Sequence, residues 1–495
     1  MNAAVTFLIG LTLIGVLPAI AMAGVTPVFV FLSPLIGAVA AGVAVELEIA
    51  VGGTLVPWFI VIAVLLNIAA LAILLRRKSF PSWNIRGWSL AVMIVLFVVL
   101  AIPLTGMRAH EVSYDGAITW TTHALLISAG HGALVPAMQN SAYLAANPDY
   151  PPLVPAVNAL GFSFAGRDVL ILGSELTALL NAAAIGVIGV GVTTICRPTA
   201  RRQHLLSLFF AVVICLAAYS VAGDYFRVGN YGVDNEADLL WAAAAVAAVL
   251  WGLVLPRERT ALLVAWSCAI VASLTKNEGL VTSIIILLLI ALRYRRPSLA
   301  WRDVTHRRGT LRSWAIFIVM WIGPALPGLI WLAQMRLLHV HNYFFGTIET
   351  ESRSLRASAT IHAMVNTENI FPIAVLILAI GCIWFRSSRK NAGIGHPLWL
   401  WTAWMAGNLL VAATYVLGDL EIHSWLTESV DRTTIYGKLL LLVDIAVWAI
   451  VAGNQVLDTY SSDLQPRGEQ RDTVVVSQLS VQPTGSTASS RAAGI

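Results

Sequence analysis

An all-α polytopic membrane protein is the fold class this sequence predicts, and three observations predict it. Hydrophobic residues make up 58% of the chain and charged residues only 12%, too few for a soluble chain of 495 residues. Apolar runs of about 20 residues, the length a helix needs to cross the hydrocarbon of a bilayer, recur along it. Arg and Lys gather in every second loop between those runs, the bias that fixes orientation during membrane insertion.

The runs lie near 4–23, 27–45, 54–74, 88–106, 170–195, 204–222, 238–255, 313–335, 369–385, 397–418 and 434–453. Two shorter runs, 260–275 and 279–292, flank Lys276-Asn277-Glu278-Gly279. Together they predict about thirteen transmembrane helices. The first run is too long, and too poor in preceding positive charge, for a cleaved signal peptide, so it is expected to remain a span. After Tyr460 the chain is rich in Ser, Gln, Thr and Gly and is expected to be a disordered cytoplasmic extension.

Loops 76–86, 197–202, 257–259, 293–312 and 386–390 hold more than half of the 31 Lys and Arg and are expected to face the cytoplasm. Segments 108–168, 223–237, the Lys276 turn, 336–368 and 419–433 then face outward. Basic side chains are scarce there: Arg108, Arg167, Arg227, Lys276, Arg336, Arg353, Arg356, Arg432 and Lys438. Each is a candidate anion ligand or a partner for lipid headgroups and local carboxylates.

The longest segment between strongly apolar runs, 108–168, gathers ionisable groups: Glu111, Asp115, Asp149, His110, His123 and His131. Arg108, Glu111, Asp115 and Thr119 recur at helical spacing, which predicts a short interfacial helix with Glu111 and Asp115 one turn apart. Like charge and desolvation raise the pKa of such a pair, which suits one of them to accept a proton from a hydroxyl. A solvated acidic helix cap beside Arg108 explains the same spacing. Pro151, Pro152 and Pro155 forbid continuous helix through 149–155 and fix Asp149 and Tyr150 in a rigid turn, either a preorganised site or a stiff connector.

Further on, Asp234, Glu236 and Asp238 precede a span, with Arg227 upstream, and Asp238 has an ordinary explanation as a complement to the helix dipole. Lys276 and Glu278 lie at or slightly below the outer interface, where charges need partners or a function. The last outward loop runs from His423 to Arg432, and Arg432 enters the final span, where its guanidinium can grip a phosphate or snorkel to the interface. The cysteines Cys196, Cys215, Cys268 and Cys382 have no paired spacing, and no His, Asp or Glu cluster has metal-ligand spacing, so no metal or other cofactor is expected. No Walker loop or dinucleotide-binding glycine pattern occurs, and no nucleic-acid partner is expected.

The motifs in their order resemble bacterial polytopic glycosyltransferases of the GT-C fold, including protein O-mannosyltransferase-like and aminoarabinose-transferase-like enzymes. They are Tyr114-Asp115 followed by Trp120 and His123-Ala124, Asp149-Tyr-Pro-Pro-Leu-Val-Pro155, Ala237-Asp238, Lys276-Asn-Glu-Gly279 and Ser429-Val-Asp-Arg432. The resemblance covers roughly Trp88 to Asn454 and implies a catalytic core at 88–454 with an extracytoplasmic loop at 107–169. Residues 1–87 are then additional N-terminal spans, and 455–495 the tail.

The resemblance further implies an inverting transferase in the bacterial plasma membrane. It would move a sugar from a polyprenyl-phosphate donor to a glycan, lipid or protein hydroxyl on the outer side. Asp115 would be the general base and Glu111 its neighbour, although many relatives carry an adjacent Asp-Glu pair where this chain has Asp115-Gly116. Arg432 and Lys276 would hold the lipid phosphate, and Asp149, Tyr150, His123, Arg227, Glu278 and His423 would contact substrate. A transporter or flippase of lipid-linked sugars would instead show polar residues at mid-depth and a half-and-half repeat. Asn181 and Asp444 are the obvious polar intruders, and no repeat relates them. A polysaccharide polymerase or ligase would carry its large loop late in the chain, whereas here it is early.

Overall fold

The computed structural model describes residues 3–76, 88–106, 116–165, 172–195, 201–221, 232–294, 321–342, 351–366 and 397–463. Among them the architecture is helical throughout, and nine helices are long and apolar enough to cross a membrane. The runs expected near 369–385 and in the first half of 313–335 fall outside the described residues. Trp88–Ala101 and Arg259–Thr275 are apolar helices shorter than the nine.

The first two helices, α1 (Ala3–Ala23) and α2 (Pro27–Val51), form an antiparallel hairpin closed at Gly24. They pack backbone to backbone. A Cβ placed on Gly15 would lie 1.9 Å from the Ser33 carbonyl oxygen, and one on Gly37 would lie 2.4 Å from that of Leu11. Small residues permit such an approach, which matters where lipid removes the hydrophobic drive for helices to associate. Next come α3 (Leu55–Arg76) and α4 (Trp88–Gly106), and then a segment of shorter helices. That segment holds a π-helical turn at Gly116–Thr121, α5 (Thr122–Ala129), α6 (His131–Gln139), a 3-10 turn at Ser141–Ala146 and α7 (Leu153–Ala165). The helix expected to carry Arg108, Glu111 and Asp115 lies outside the described residues.

The centre of the bundle is built from α2, α8 (Leu172–Thr193) and α10 (Gly232–Val249), the last continued by a π-helical turn at Leu250–Val254. Every residue of the Ala237–Val254 stretch is buried, and its run of alanines lets neighbouring helices close on all sides. Thus α2 packs into the same hydrophobic core as α8, α10 and α11 (Arg259–Thr275), with Leu35, Ala38 and Ala41 wholly enclosed. Around this centre α3, α9 (Arg201–Val221), α12 (Asn277–Tyr294) and α15 (Pro397–Leu417) expose Leu, Ile, Val and Phe, as lipid-facing helices do.

Past α13 (Leu326–Leu337), two amphipathic helices, α14 (Arg353–Asn366) and α16 (Ile422–Thr433), pack with the end of α15 around a second small core of Val411, Tyr415, Ile422, Leu426 and Val430. Arg356 ties that unit together by donating to the carbonyl oxygens of Tyr415 and Leu420 while pairing with Glu351 at 3.2 Å. The last helix, α17, runs Ile435–Asp463, so helix continues past Asn454 and takes in the first residues of the expected tail.

The close crossing of α1 and α2 makes a prediction. Gly37→Leu should separate them and lower stability by about 1–3 kcal/mol, the usual cost of overpacking, read as a lower thermal midpoint in detergent. Gly10→Ala, whose Cβ would meet nothing within 4 Å, should leave the midpoint unchanged.

Candidate functional site

The chain breaks helix for a single residue at Lys276, which is extended between α11 and α12 with φ −147° and ψ 161°. Gly279 lets α12 close on α11 at once, since a Cβ there would lie 2.0 Å from the Ala272 carbonyl oxygen. Lys276 is only 3% exposed. Its ammonium donates to Asp238 Oδ1 at 2.9 Å and lies 5.3 Å and 5.9 Å from the ring centres of Tyr150 and Trp120. A buried ammonium costs several kcal/mol of lost hydration, so a carboxylate and two aromatic faces around it are what keep it charged.

Asp238 is wholly enclosed, with its Oδ1 also accepting from the Trp241 indole at 3.1 Å. Because α10 begins at Gly232, Asp238 sits in its second turn, and its role is to pair with Lys276 rather than to complement the helix dipole. Arg432 approaches its other oxygen, with Nε 3.9 Å from Oδ2. Arg432 belongs to the end of α16, a separate short helix, and not to the final span as the hydropathy pattern suggested. Tyr436 stacks on Trp241 with centroids 5.9 Å apart, which fixes the start of α17 against the same carboxylate.

The turn before α7 supplies the remaining wall. Asn147 takes φ +50°, a conformation Asn tolerates better than most residues, and the Tyr150 N–H closes the turn on its carbonyl. The irregular segment ends at Pro152. Helix resumes at Leu153, with Pro155 in the first turn, where a missing N–H costs nothing. The Asp149 carboxylate is clamped: Oδ2 accepts from the amides of Asn277 (2.8 Å) and Asn342, and the Trp331 indole donates to the backbone carbonyl at 2.8 Å. Its Oδ1 is buried with no hydrogen-bond partner among the described residues. Burial pushes the Asp149 carboxyl up to about 6, against the two amide hydrogen bonds that favour its ionised form. Burial likewise lowers His123 to about 4, so that imidazole is neutral at pH 7.

These elements enclose a cavity of about 270 Å³ at one end of the bundle. Lys276, Glu278 and Arg432 bring charge to it, Tyr150, Asn277 and Asn342 bring polar groups, and Val281, Leu410, Val411 and Leu417 form an apolar wall. On the outer faces of α12 and α15, Val281 and Leu417 are 41% and 54% exposed, so the apolar wall continues onto the lipid-facing surface. Tyr415 shares short hydroxyl contacts with Ser429 (2.7 Å) and Thr433 (2.9 Å) and so holds α16 on the cavity.

Of the residues expected from sequence, Tyr150, Lys276, Glu278 and Arg432 line this cavity, and Asp149 lies directly behind it through Asn277 and Asn342. His123 is buried one turn beyond Trp120, and its Nε2 has no hydrogen-bond partner among the described residues. His423 is exposed on α16 and is not part of the lining. Glu111, Asp115 and Arg227 lie outside the described residues. Sequence reasoning missed Asn277, Asn342, Trp331 and Tyr415, and assigned Asp238 to another purpose. The last of three carboxylates before an alanine-rich run, matched by a lone lysine between two short runs, was the available signal for Asp238. No family model, curated protein or solved structure matches this chain.

The raised Asp149 carboxyl sets a pH dependence. An unfolded chain releases this proton near its ordinary value of 3.8, whereas the folded protein keeps it to about 6. Stability from this group is therefore complete below the first value and lost as pH rises through the second, by about 1.4 kcal/mol per pH unit between them. Thermal midpoints measured from pH 4 to pH 7 should show that fall in the wild type minus the Asp149→Asn variant, and identical slopes in the two would contradict it.

Proposed function

We propose that the protein is a GT-C-type membrane glycosyltransferase that moves a sugar from a polyprenyl-phosphate carrier to an acceptor hydroxyl on the extracytoplasmic face. The observation that carries this reading is one cavity with a cationic end, Lys276 and Arg432 converging on Asp238, and an apolar wall continuous with the lipid-facing surface. An amphiphile with a phosphate head and a hydrocarbon tail matches that division. The orientation rests on the alternation of Arg- and Lys-rich loops along the sequence.

In this mechanism the acceptor oxygen attacks the anomeric carbon, the bond to the lipid phosphate breaks, and Asp115 takes the hydroxyl proton. The departing phosphate gains charge, and preorganised cations at that position stabilise the transition state more than the ground state. Arg432 offers parallel N–H donors and Lys276 a point charge. Glu278 and the amides of Asn277 and Asn342 supply acceptors and donors for sugar hydroxyls.

The test is transfer from a polyprenyl-phosphate sugar by purified variants. Asp115→Asn should slow the chemical step by about 10² to 10⁴-fold with donor binding retained. Arg432→Ala should weaken donor binding and turnover together, and Glu111→Gln should cost less than Asp115→Asn. Near-normal turnover by Asp115→Asn, with turnover abolished in Asp149→Asn or Glu111→Gln, would move the base elsewhere.

A further inference from the structure

A second cavity, of about 390 Å³, opens at the other end of the bundle, where the α1–α2 turn, the starts of α4, α9 and α11, and the ends of α8 and α10 meet. It belongs to none of the chemistry above. Its lining joins two indoles, Trp88 and Trp251, to the His204 imidazole, the hydroxyls of Thr193 and Thr260, and the carboxylate-bearing Glu258. Trp88 and His204 pack with ring centroids 5.3 Å apart and their planes tilted by 39°, and His204 Nδ1 is buried with no hydrogen-bond partner among the described residues. Glu258 is exposed between two exposed arginines, Arg257 and Arg259. Leu90 on α4 and Leu205 on α9, next in the chain to the lining residues Ser89 and His204, are 46% and 54% exposed, as on a face turned toward acyl chains.

We propose that this cavity binds the headgroup of a phospholipid that carries both a phosphate and a primary ammonium. The lining, and the two arginines that flank it in the chain, have counterparts in such a headgroup. His204 in the lining, with Arg257 and Arg259 on either side of Glu258, suits the phosphate, because basic groups at the ends of spans hold lipid phosphates. Glu258 suits the ammonium, and the indole faces attract the same cation. A purely anionic headgroup brings no cation to Glu258 or to the indole faces, and a choline headgroup has no N–H to donate to a carboxylate. The exposed leucines next in the chain to the lining argue for a lipid rather than a free phosphate ester.

The experiment is native mass spectrometry of the purified full-length protein, delipidated in detergent and offered equal concentrations of phosphatidylethanolamine, phosphatidylglycerol and phosphatidylcholine. The ethanolamine lipid should be retained about tenfold over the other two, the discrimination expected from one charge-assisted hydrogen bond. Glu258→Gln should bring the three close to parity. Ser89→Leu, which fills the cavity without changing charge, should lower retention of every lipid. Equal retention of the three lipids by the wild type, or preference for phosphatidylglycerol, would overturn the proposal without any variant. So would an unchanged preference in a folded Glu258→Gln protein. Competition by water-soluble glycerophosphoethanolamine at the same concentration as the lipid would show that the site takes a free solute, and the lipid assignment would fall.

Discussion

The ion pair of Lys276 with Asp238 is the constraint on which the rest of this end of the bundle depends. Both charges are almost wholly removed from water, and attraction between them offsets that loss only if the geometry is held and the remaining hydrogen-bonding capacity is met. The surrounding structure holds the geometry and satisfies Asp238 Oδ1, while Oδ2 has no hydrogen-bond partner among the described residues. Trp241 donates to the carboxylate, Tyr150 and Trp120 face the ammonium, and Arg432 reaches the second carboxylate oxygen from a different helix. The one-residue break at Lys276 and the close helix crossing at Gly279 are the local backbone conditions for placing an ammonium there at all.

Arg432 reaches the cluster from a unit with its own small core. Arg356, Glu351 and the Tyr415 hydroxyl network fasten α16 to the end of α15, whereas the ion pair to Asp238 joins it to the main core at 3.9 Å, longer than a hydrogen bond. The cavity lies between the two cores. A substrate anion entering it would meet cations already positioned by packing, so little rearrangement would be needed to bind.

Much of the bundle was legible in the sequence because hydropathy and length report directly on the cost of placing backbone and charge in lipid. The apolar helices on either side of Lys276 follow from that. What was not legible depends on tertiary pairing. Asp238 had a sufficient local explanation as an acidic residue near a helix start, and nothing along the chain links it to a lysine 38 positions later. Asn277, Asn342 and Trp331 converge on Asp149 from three separate stretches, so no spacing announces them. Glu46 and Glu48 fell beyond the apolar run first assigned to α2, yet the helix continues to Val51 and buries both. Their burial places α2, from the part of the chain expected to be additional, at the centre of the packing.

The central claim is that the first cavity recognises a phosphate joined to a hydrocarbon chain. It is tested most directly by equilibrium binding of a polyprenyl phosphate and of the matching uncharged polyprenol to the purified wild-type protein at several salt concentrations. The account predicts that the phosphate binds at least tenfold more tightly, as one or more charge-assisted hydrogen bonds would give, and that salt weakens it only modestly because Lys276 is buried and Arg432 partly so. Equal affinity for the two lipids would contradict it.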